Sequence, residues 1–452
     1  MMTEPEGSLD LDDIQAGALR ERPSPYVGRY LLIRLDDEAQ GRELCRRLHA
    51  LLTAERLRPP TEAKAWLTVA FTYQGLRALG VPRASLDSFP VEFREGMAAR
   101  AEDLGDVGES APEHWEWPLG TAEVHVAVSV LAKDRAALEE VAEQARMRYA
   151  DLSAVEVVWR QDCYQLPSGR TSFGFKDGIG NPDVEGSGLP PRNRLEPAIK
   201  AGEFILGYPD ETGSLAPMPS PDELGRNGTF LVFRKLHTKV AAYRTYLHER
   251  ARSREDEELL GAKMVGRWPS GAPLALAPDG DDPDLGADPG RNNAFGFKDD
   301  LDGFKCPAGA HSRRANPRDG LEHEGTVDTR LHRMIRRGTS YGPMLPDGVR
   351  EDDGAERGIV FVFAGAHLKR QFEFVKTQWL NDGIFIGASR EADPLVGALQ
   401  QPTDFTMPHH PIRRKLPDIP PFVVTRGGEY CFAPGLTALR WLADLTPEEN
   451  DD

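Results

Sequence analysis

Cysteine is scarce: Cys45, Cys163, Cys306 and Cys431 are the only four thiols in 452 residues, and none shares a CxxC spacing. That excludes a disulfide scaffold and a zinc ribbon and suits a reducing compartment, so a cytoplasmic location is expected. Long apolar runs are missing too. The longest, such as "GIVFVFAGA" at 358–366, have the length of a strand and fall short of a bilayer. Cations are outnumbered, 55 Lys and Arg against 72 Asp and Glu, for a net charge of −17. Nucleic acid and anionic membrane are thereby excluded as main partners, because either would be repelled. The opening "MMTEPEGSLDLDDIQ" has neither the basic nor the apolar segment of a secretory signal. HExxH, the P-loop, GxSxG and a GxGxxG followed by a ribose-binding acid are absent, so the common hydrolase and nucleotide templates fail. His409-His410 makes a poor metal pair, since neighbouring side chains on an extended chain point in opposite directions.

What is present is a well-patterned core. Forty per cent of the residues are hydrophobic, enough to bury a large interior. Strand patterns at 29–36, 66–73, 122–132 and 155–166 alternate with helical patterns at 41–57 and 134–150. The second half repeats the plan: strands at 228–237 and 358–367, helices at 238–251 and 368–382, and "FVVTRGGEYCF" (422–432) as a hairpin with a Gly-Gly turn. The pattern predicts an α+β protein of two similar modules, 1–190 and 191–452, each an antiparallel sheet covered by helices. Two Pro/Gly-rich connections, 182–228 and 270–303, are too long for passive turns, and the second is expected to be a solvated acidic insertion.

Three stretches are hard to explain as fold alone. "FGFKDGIGNP" (173–182) follows a strand and brackets Asp177 with Gly174 and Gly178, which presents the acid on a tight bend. Its first five letters return in "FGFKDD" from residue 295, without the second glycine or the Gly-Asn-Pro continuation, so Asp299 cannot occupy the same turn, while for Asp177 an ordinary Asp-Gly turn is the alternative reading. "KCPAGAHSRRANPRD" (305–319) sets His311 before Arg313, Arg314 and Arg318: an imidazole for iron beside cations for two propionates, as haem requires. "HRMIRRGTSYGP" (332–343) runs arginines into a glycine turn and Tyr341.

Together these motifs resemble the dye-decolourising peroxidase family. Gly174-Phe175-Lys176-Asp177-Gly178 matches its GxxDG motif, Cys306, Pro307, His311, Arg313, Pro317 and Arg318 match the setting of its proximal histidine, and Arg336 with Tyr341 matches its distal arginine stretch. The resemblance spans about 28–443 and implies two ferredoxin-like modules with one haem b per chain in the second. It implies reduction of hydrogen peroxide with one-electron oxidation of bulky organic donors such as dyes and phenols. His311 would be the iron ligand, with Asp393 of "READPLVG" as acceptor for its other ring nitrogen. Asp177 would be the distal acid–base and Arg336, preferred over Arg337 from the Tyr341 spacing, its cationic partner. Gly178, Ile179, Arg314 and Asn316 are the implied haem contacts, Ile359 and Phe361 the distal wall, and Tyr341 and Trp379 the oxidisable aromatics for electron transfer. A haem-handling protein with little turnover and a non-haem ferredoxin-like regulator are the competing readings. The acidic tail "LTPEENDD" offers no apolar docking peptide, and the oligomeric state stays open.

Overall fold

A computed structural model of the chain describes residues 9–53, 64–191, 196–324, 328–398 and 402–446. Four strands come from the first half: β1 (Val27–Leu35), β2 (Ala65–Phe71), β3 (Val126–Ala132) and β4 (Val155–Tyr164). The second half supplies β5 (Thr229–Thr238), β6 (Ile335–Tyr341), β7 (Gly358–Gly365), a separate pair β8 (Thr403–Met407) and β9 (Arg414–Ile419), and β10 (Val423–Ala433). Eight of these form one antiparallel sheet in the order β4-β1-β3-β2-β10-β5-β7-β6. Each half thus contributes four strands, and the halves meet where Phe432 of β10 pairs with Phe71 of β2. Phe89, Phe93, Phe230 and Phe432 pack together there with ring centroids 4.9 to 6.5 Å apart.

Helices cover the sheet for the reasons the periodicity predicts. In α1 (Glu38–Thr53), Leu44, Leu48, Leu51 and Leu52 point inward at helical spacing. The expected continuation to residue 57 lies outside the described residues, as do most of the N-terminal and C-terminal acidic stretches. In α2 (Arg135–Met147), Asp134 caps the helix by accepting from Ala137 N, a contact worth about 1 kcal/mol. The limit drawn between 190 and 191 falls in the connection from β4 to β5.

Four expectations change. The stretch 422–432 is no hairpin: β10 runs straight through with a bulge between Thr425 and Gly427, because β5 pairs along its whole length. Residues 122–125 precede β3 without joining it. The arginines at 336 and 337 lie within strand β6, not before a turn. The 270–303 connection is no solvated insertion either. Leu274, Leu285 and Phe297 are buried with Trp268, Cys306 and Ala310, so it forms a small core of its own under the segment that carries His311.

Candidate active site

His311 opens the short helix α3 (His311–Ala315), held from below by that small core. Its Nδ1 lies 2.9 Å from Oδ2 of Asp393, a fully buried carboxylate whose Oδ1 accepts from the backbone N–H groups of Leu395 and Val396. Burial alone would raise the pKa of Asp393. The charge of His311, the hydrogen bond to it and the nearby Arg314 outweigh burial and hold Asp393 below the ordinary carboxylate range. With Nδ1 engaged, Nε2 is the ring nitrogen left for the cavity that His311 lines.

Asp177 faces the same cavity from the loop after β4. Thr171 N donates to Phe175 O and Gly174 N to Thr171 O, closing a tight bend in which Gly174 and Gly178 adopt φ of 91° and 84°, values that favour glycine. Asn181 then fastens the loop to β6: its amide donates to Arg336 O at 3.0 Å and accepts from Arg336 N at 2.9 Å. The carboxylate lies so close to β6 that a Cβ at Gly338 would come within 2.9 Å of Asp177 Oδ2. Strand alternation puts Arg336 and Gly338 on one face and Arg337 on the other. Arg336 lines the cavity, while Arg337 donates to Arg20 O and Ala18 O in the N-terminal segment. Burial lowers the pKa of Arg336 and Asp177 pulls it back up, which marks the two as electrostatic partners.

Between these walls is a cavity of about 350 Å³. Ile359 and Phe361 alternate along β7 and both line it, beside Phe372, Leu380 and Leu395. Across the sheet, Gly338, Phe361 and Arg234 stand in register, so the cavity face of β6 continues through β7 to β5. Arg234 donates to Asp106 and Thr425, yet its Nε and Nη1 and Asp106 Oδ2 are buried without a hydrogen-bond partner. Lys376 also reaches the cavity, donating to Val396 O at 2.7 Å, and burial pushes its ammonium down to about 8.

Some expected contacts are absent. Arg314 is wholly buried, spends four of its five N–H donors on the carbonyls of Gly309, Trp379, Asp382 and Glu391 at 2.8 to 3.1 Å, and does not line the cavity. Arg313 is engaged by Cys306 O and Asp300, and Arg318 by Asn293 and Phe295 carbonyls. This basic cluster ties its own segment together. Neither Asn316 nor Ile179 lines the cavity; Ile179 packs over Gly271. Tyr341 and Trp379 are buried at 3% and 2% exposure and do not line it either.

Sequence reasoning missed Arg234, Lys376 and Asp106, which carry no motif and are gathered from three separate elements. It also missed Arg22, whose Nη2 is 3.9 Å from Asp177 Oδ2 and whose guanidinium lies 4.5 Å over the Tyr26 ring.

The two walls are chemically unlike. One offers an imidazole nitrogen oriented by a buried carboxylate, the other a carboxylate and a cation. A haem would use both, His311 to hold its iron and Asp177 with Arg336 to handle peroxide, and the apolar slot and the orphaned Arg234 nitrogens would suit its macrocycle and its carboxylates. The residues present fit that group, and the fold and site define a haem peroxidase.

Comparison with known proteins narrows the class. The family model described as the DyP dimeric alpha+beta barrel domain matches residues 52–159. Peroxidase 2 of Mycetinis scorodonius is 33% identical over 422 residues, covering 86% of this chain and 78% of the relative. The multifunctional dye peroxidase DyP2 of an Amycolatopsis species is 28% identical and covers 97% of both chains. A solved dye-decolourising peroxidase in complex with 2,6-dimethoxyphenol superposes with a TM-score of 0.83 at 28% identity, covering 96% of this chain and 100% of that one. The chain belongs to the dye-decolourising peroxidase family and is a peroxidase. The family's members are haem enzymes.

Proposed function

We propose that the chain binds one haem b, with His311 Nε2 as the axial ligand to iron, and uses it to reduce hydrogen peroxide at the expense of bulky dyes and phenols. The observation that carries this is that His311, anchored by Asp393, lines the same largely apolar cavity as Asp177 and Arg336. Bound haem would supply the iron centre at which peroxide is reduced and would store the two oxidising equivalents that peroxide delivers until organic donors return the electrons one at a time. Asp177 takes the proton from one peroxide oxygen and returns it to the other, so that the second oxygen leaves as water. Arg336 stabilises the negative charge that develops as the O–O bond breaks. Gly178 holds the bend that carries Asp177, and Gly338 leaves room for its carboxylate.

Asp393 anchors the imidazole and raises its basicity, which pushes electron density toward the peroxide. Arg234 and Lys376 are the groups set to neutralise the haem carboxylates, in place of Arg314 and Asn316. Ile359 and Phe361 narrow the space on the Asp177 side and keep bulky donors out. Electrons from such donors then pass through the protein, and Tyr341 and Trp379, both buried, serve as relay stops and not as points of contact with dye. The four unpaired, buried thiols support a cytoplasmic setting.

The test is a spectrum. Holoprotein should show a strong Soret band that shifts on addition of peroxide, and His311→Ala should lose haem or show an altered band. Normal haem content and spectrum in His311→Ala, with loss in another histidine variant, would overturn the ligand assignment.

A further inference from the structure

The peroxidase reading above leaves one buried phenol unexplained. All ten tyrosines lie among the described residues. The hydroxyls of Tyr246, Tyr341 and Tyr164 donate to backbone carbonyls, that of Tyr208 to an asparagine, and Tyr30 shares a bond with Thr339. The Tyr243 hydroxyl has no hydrogen-bond partner among the described residues. Among them, only Tyr430 donates to a carboxylate, Glu373 Oε1, at 2.8 Å. Both residues are buried, at 1% and 5% exposure.

The pair sits beside the cavity. Tyr430 lies on β10 in register with Val232 of β5, two residues along the same strand face from Arg234. Its ring is 6.3 Å, edge to face, from that of Phe372, which lines the cavity. One aromatic ring therefore separates the phenol from the haem slot. Phe372 and Glu373 are adjacent in the helical segment Leu368–Glu373, which continues through Phe374 into Val375–Leu380 and is wound with the wide π spacing common at functional sites.

We infer that Tyr430 and Glu373 form a proton-coupled redox pair that holds one of the oxidising equivalents released by peroxide reduction. Tyr430 gives one electron to the oxidised haem site and its phenolic proton to Glu373 Oε1, leaving a neutral tyrosyl radical and a neutral carboxyl. An organic donor of one electron restores the phenol through the protein, and Glu373 returns the proton. Burial is what makes the carboxylate decisive. A phenol that loses an electron in an apolar interior without losing its proton leaves a bare cation there, at a cost of several kcal/mol. Tyr243, without an acceptor among the described residues, meets that penalty in full, and the carbonyl partner of Tyr246 is not a base.

Glu373 can take the proton because its surroundings tolerate the change. Arg100 grips it with Nε at 2.5 Å and Nη2 at 2.7 Å, and the same guanidinium reaches Glu95 through Nη1 at 2.6 Å. When Glu373 is neutralised, Arg100 keeps a carboxylate at the half-exposed edge and is not stranded. Before oxidation the phenol stays protonated, since burial and the Glu373 charge both raise its pKa well above the ordinary value.

The experiment places 3-fluorotyrosine at position 430 of the full chain, loads haem, adds one equivalent of peroxide and records the freeze-quenched EPR spectrum. The expected radical shows fluorine hyperfine splitting absent from unlabelled protein. Glu373→Gln, which keeps an oxygen acceptor but no base, should lower the radical yield several-fold while the resting Soret band is unchanged. An intact Soret response to peroxide with no fluorine splitting overturns the tyrosine pair alone. Loss of the Soret response itself would overturn the assignments of His311 and Asp177 and this inference with them.

Discussion

Neighbouring arginines on β6 provide the sharpest test of the site, because strand alternation assigns them opposite duties. Arg336 faces the cavity, and its side chain makes no hydrogen bond among the described residues. Replacing it with leucine should leave stability nearly unchanged while removing the cation beside Asp177. The loss of a group that stabilises developing charge costs about 10²–10³-fold in rate. Arg337 points the other way and supplies charge-assisted bonds to two carbonyls, Ala18 O and Arg20 O. At about 1.5–3 kcal/mol for each acceptor, against about 2 kcal/mol regained by burying leucine, Arg337→Leu should cost about 1–4 kcal/mol. For a chain of this length that lowers Tm by about 1 °C per kcal/mol. Stopped-flow mixing of the haem-loaded variants with peroxide, followed at the Soret band, measures the first effect, and calorimetry measures the second. Arg336→Leu should be slow and stable, and Arg337→Leu should react within a few-fold of wild type but melt earlier. The reverse pattern, or equal slowing in both, would refute the assignment and the alternation argument behind it.

Asn181→Ala should loosen the Asp177 loop from β6 and slow the same peroxide step by about 10-fold, the equivalent of one lost hydrogen bond pair; an unchanged rate would make Asn181 ordinary loop packing. Stability should fall as pH rises from about 5 to 9. Burial pushes Glu429 up to about 8 and Glu203 up to about 7, so both are neutral in the fold near pH 6, and their contribution is complete below the ordinary 4.5 and lost as pH climbs through the raised values. Thermal melts across that range should show the decline, and Glu429→Gln should flatten it. Replacing Tyr341 and Trp379 together with phenylalanine should cut turnover of a bulky anthraquinone dye more than that of a small phenol, and equal dye turnover in steady-state assays would make both residues packing.

Much of the architecture was legible because apolar periodicity survives in the letters: β1 to β5, β7, α1 and α2 fall within a few residues of where the pattern puts them, while β6, β8 and β9 carry no such signal. Asp177, Arg336 and His311 were legible because each stands in a local motif whose glycines or neighbours have no other use. Asp393 was found only through the family resemblance, since an aspartate 82 residues beyond its partner leaves no spacing signal. Arg314 misled for a physical reason. Guanidiniums that follow a ligand in sequence suggest carboxylate binding, but a helix end also needs donors for its neighbours' carbonyls, and burial decided between the two uses. The Gly-Gly pair in β10 misled in the same way: a bulge and a hairpin turn have similar letters, and only the partner strand β5 distinguishes them.

The place of β10 in the sheet has a consequence for synthesis. It is the last strand made, yet it lies at the centre, between β2 and β5. Until residues 423–433 leave the ribosome, the edges of β2 and β5 stay open with unpaired N–H and C=O groups, the kind of edge that invites pairing with another chain. Val423 and Thr425 of β10 also line the cavity, and Asp393 is among the later residues translated. The pocket therefore cannot close before β10 is in place, and a truncation that removes β10 would yield a sticky protein with an open pocket rather than a smaller enzyme.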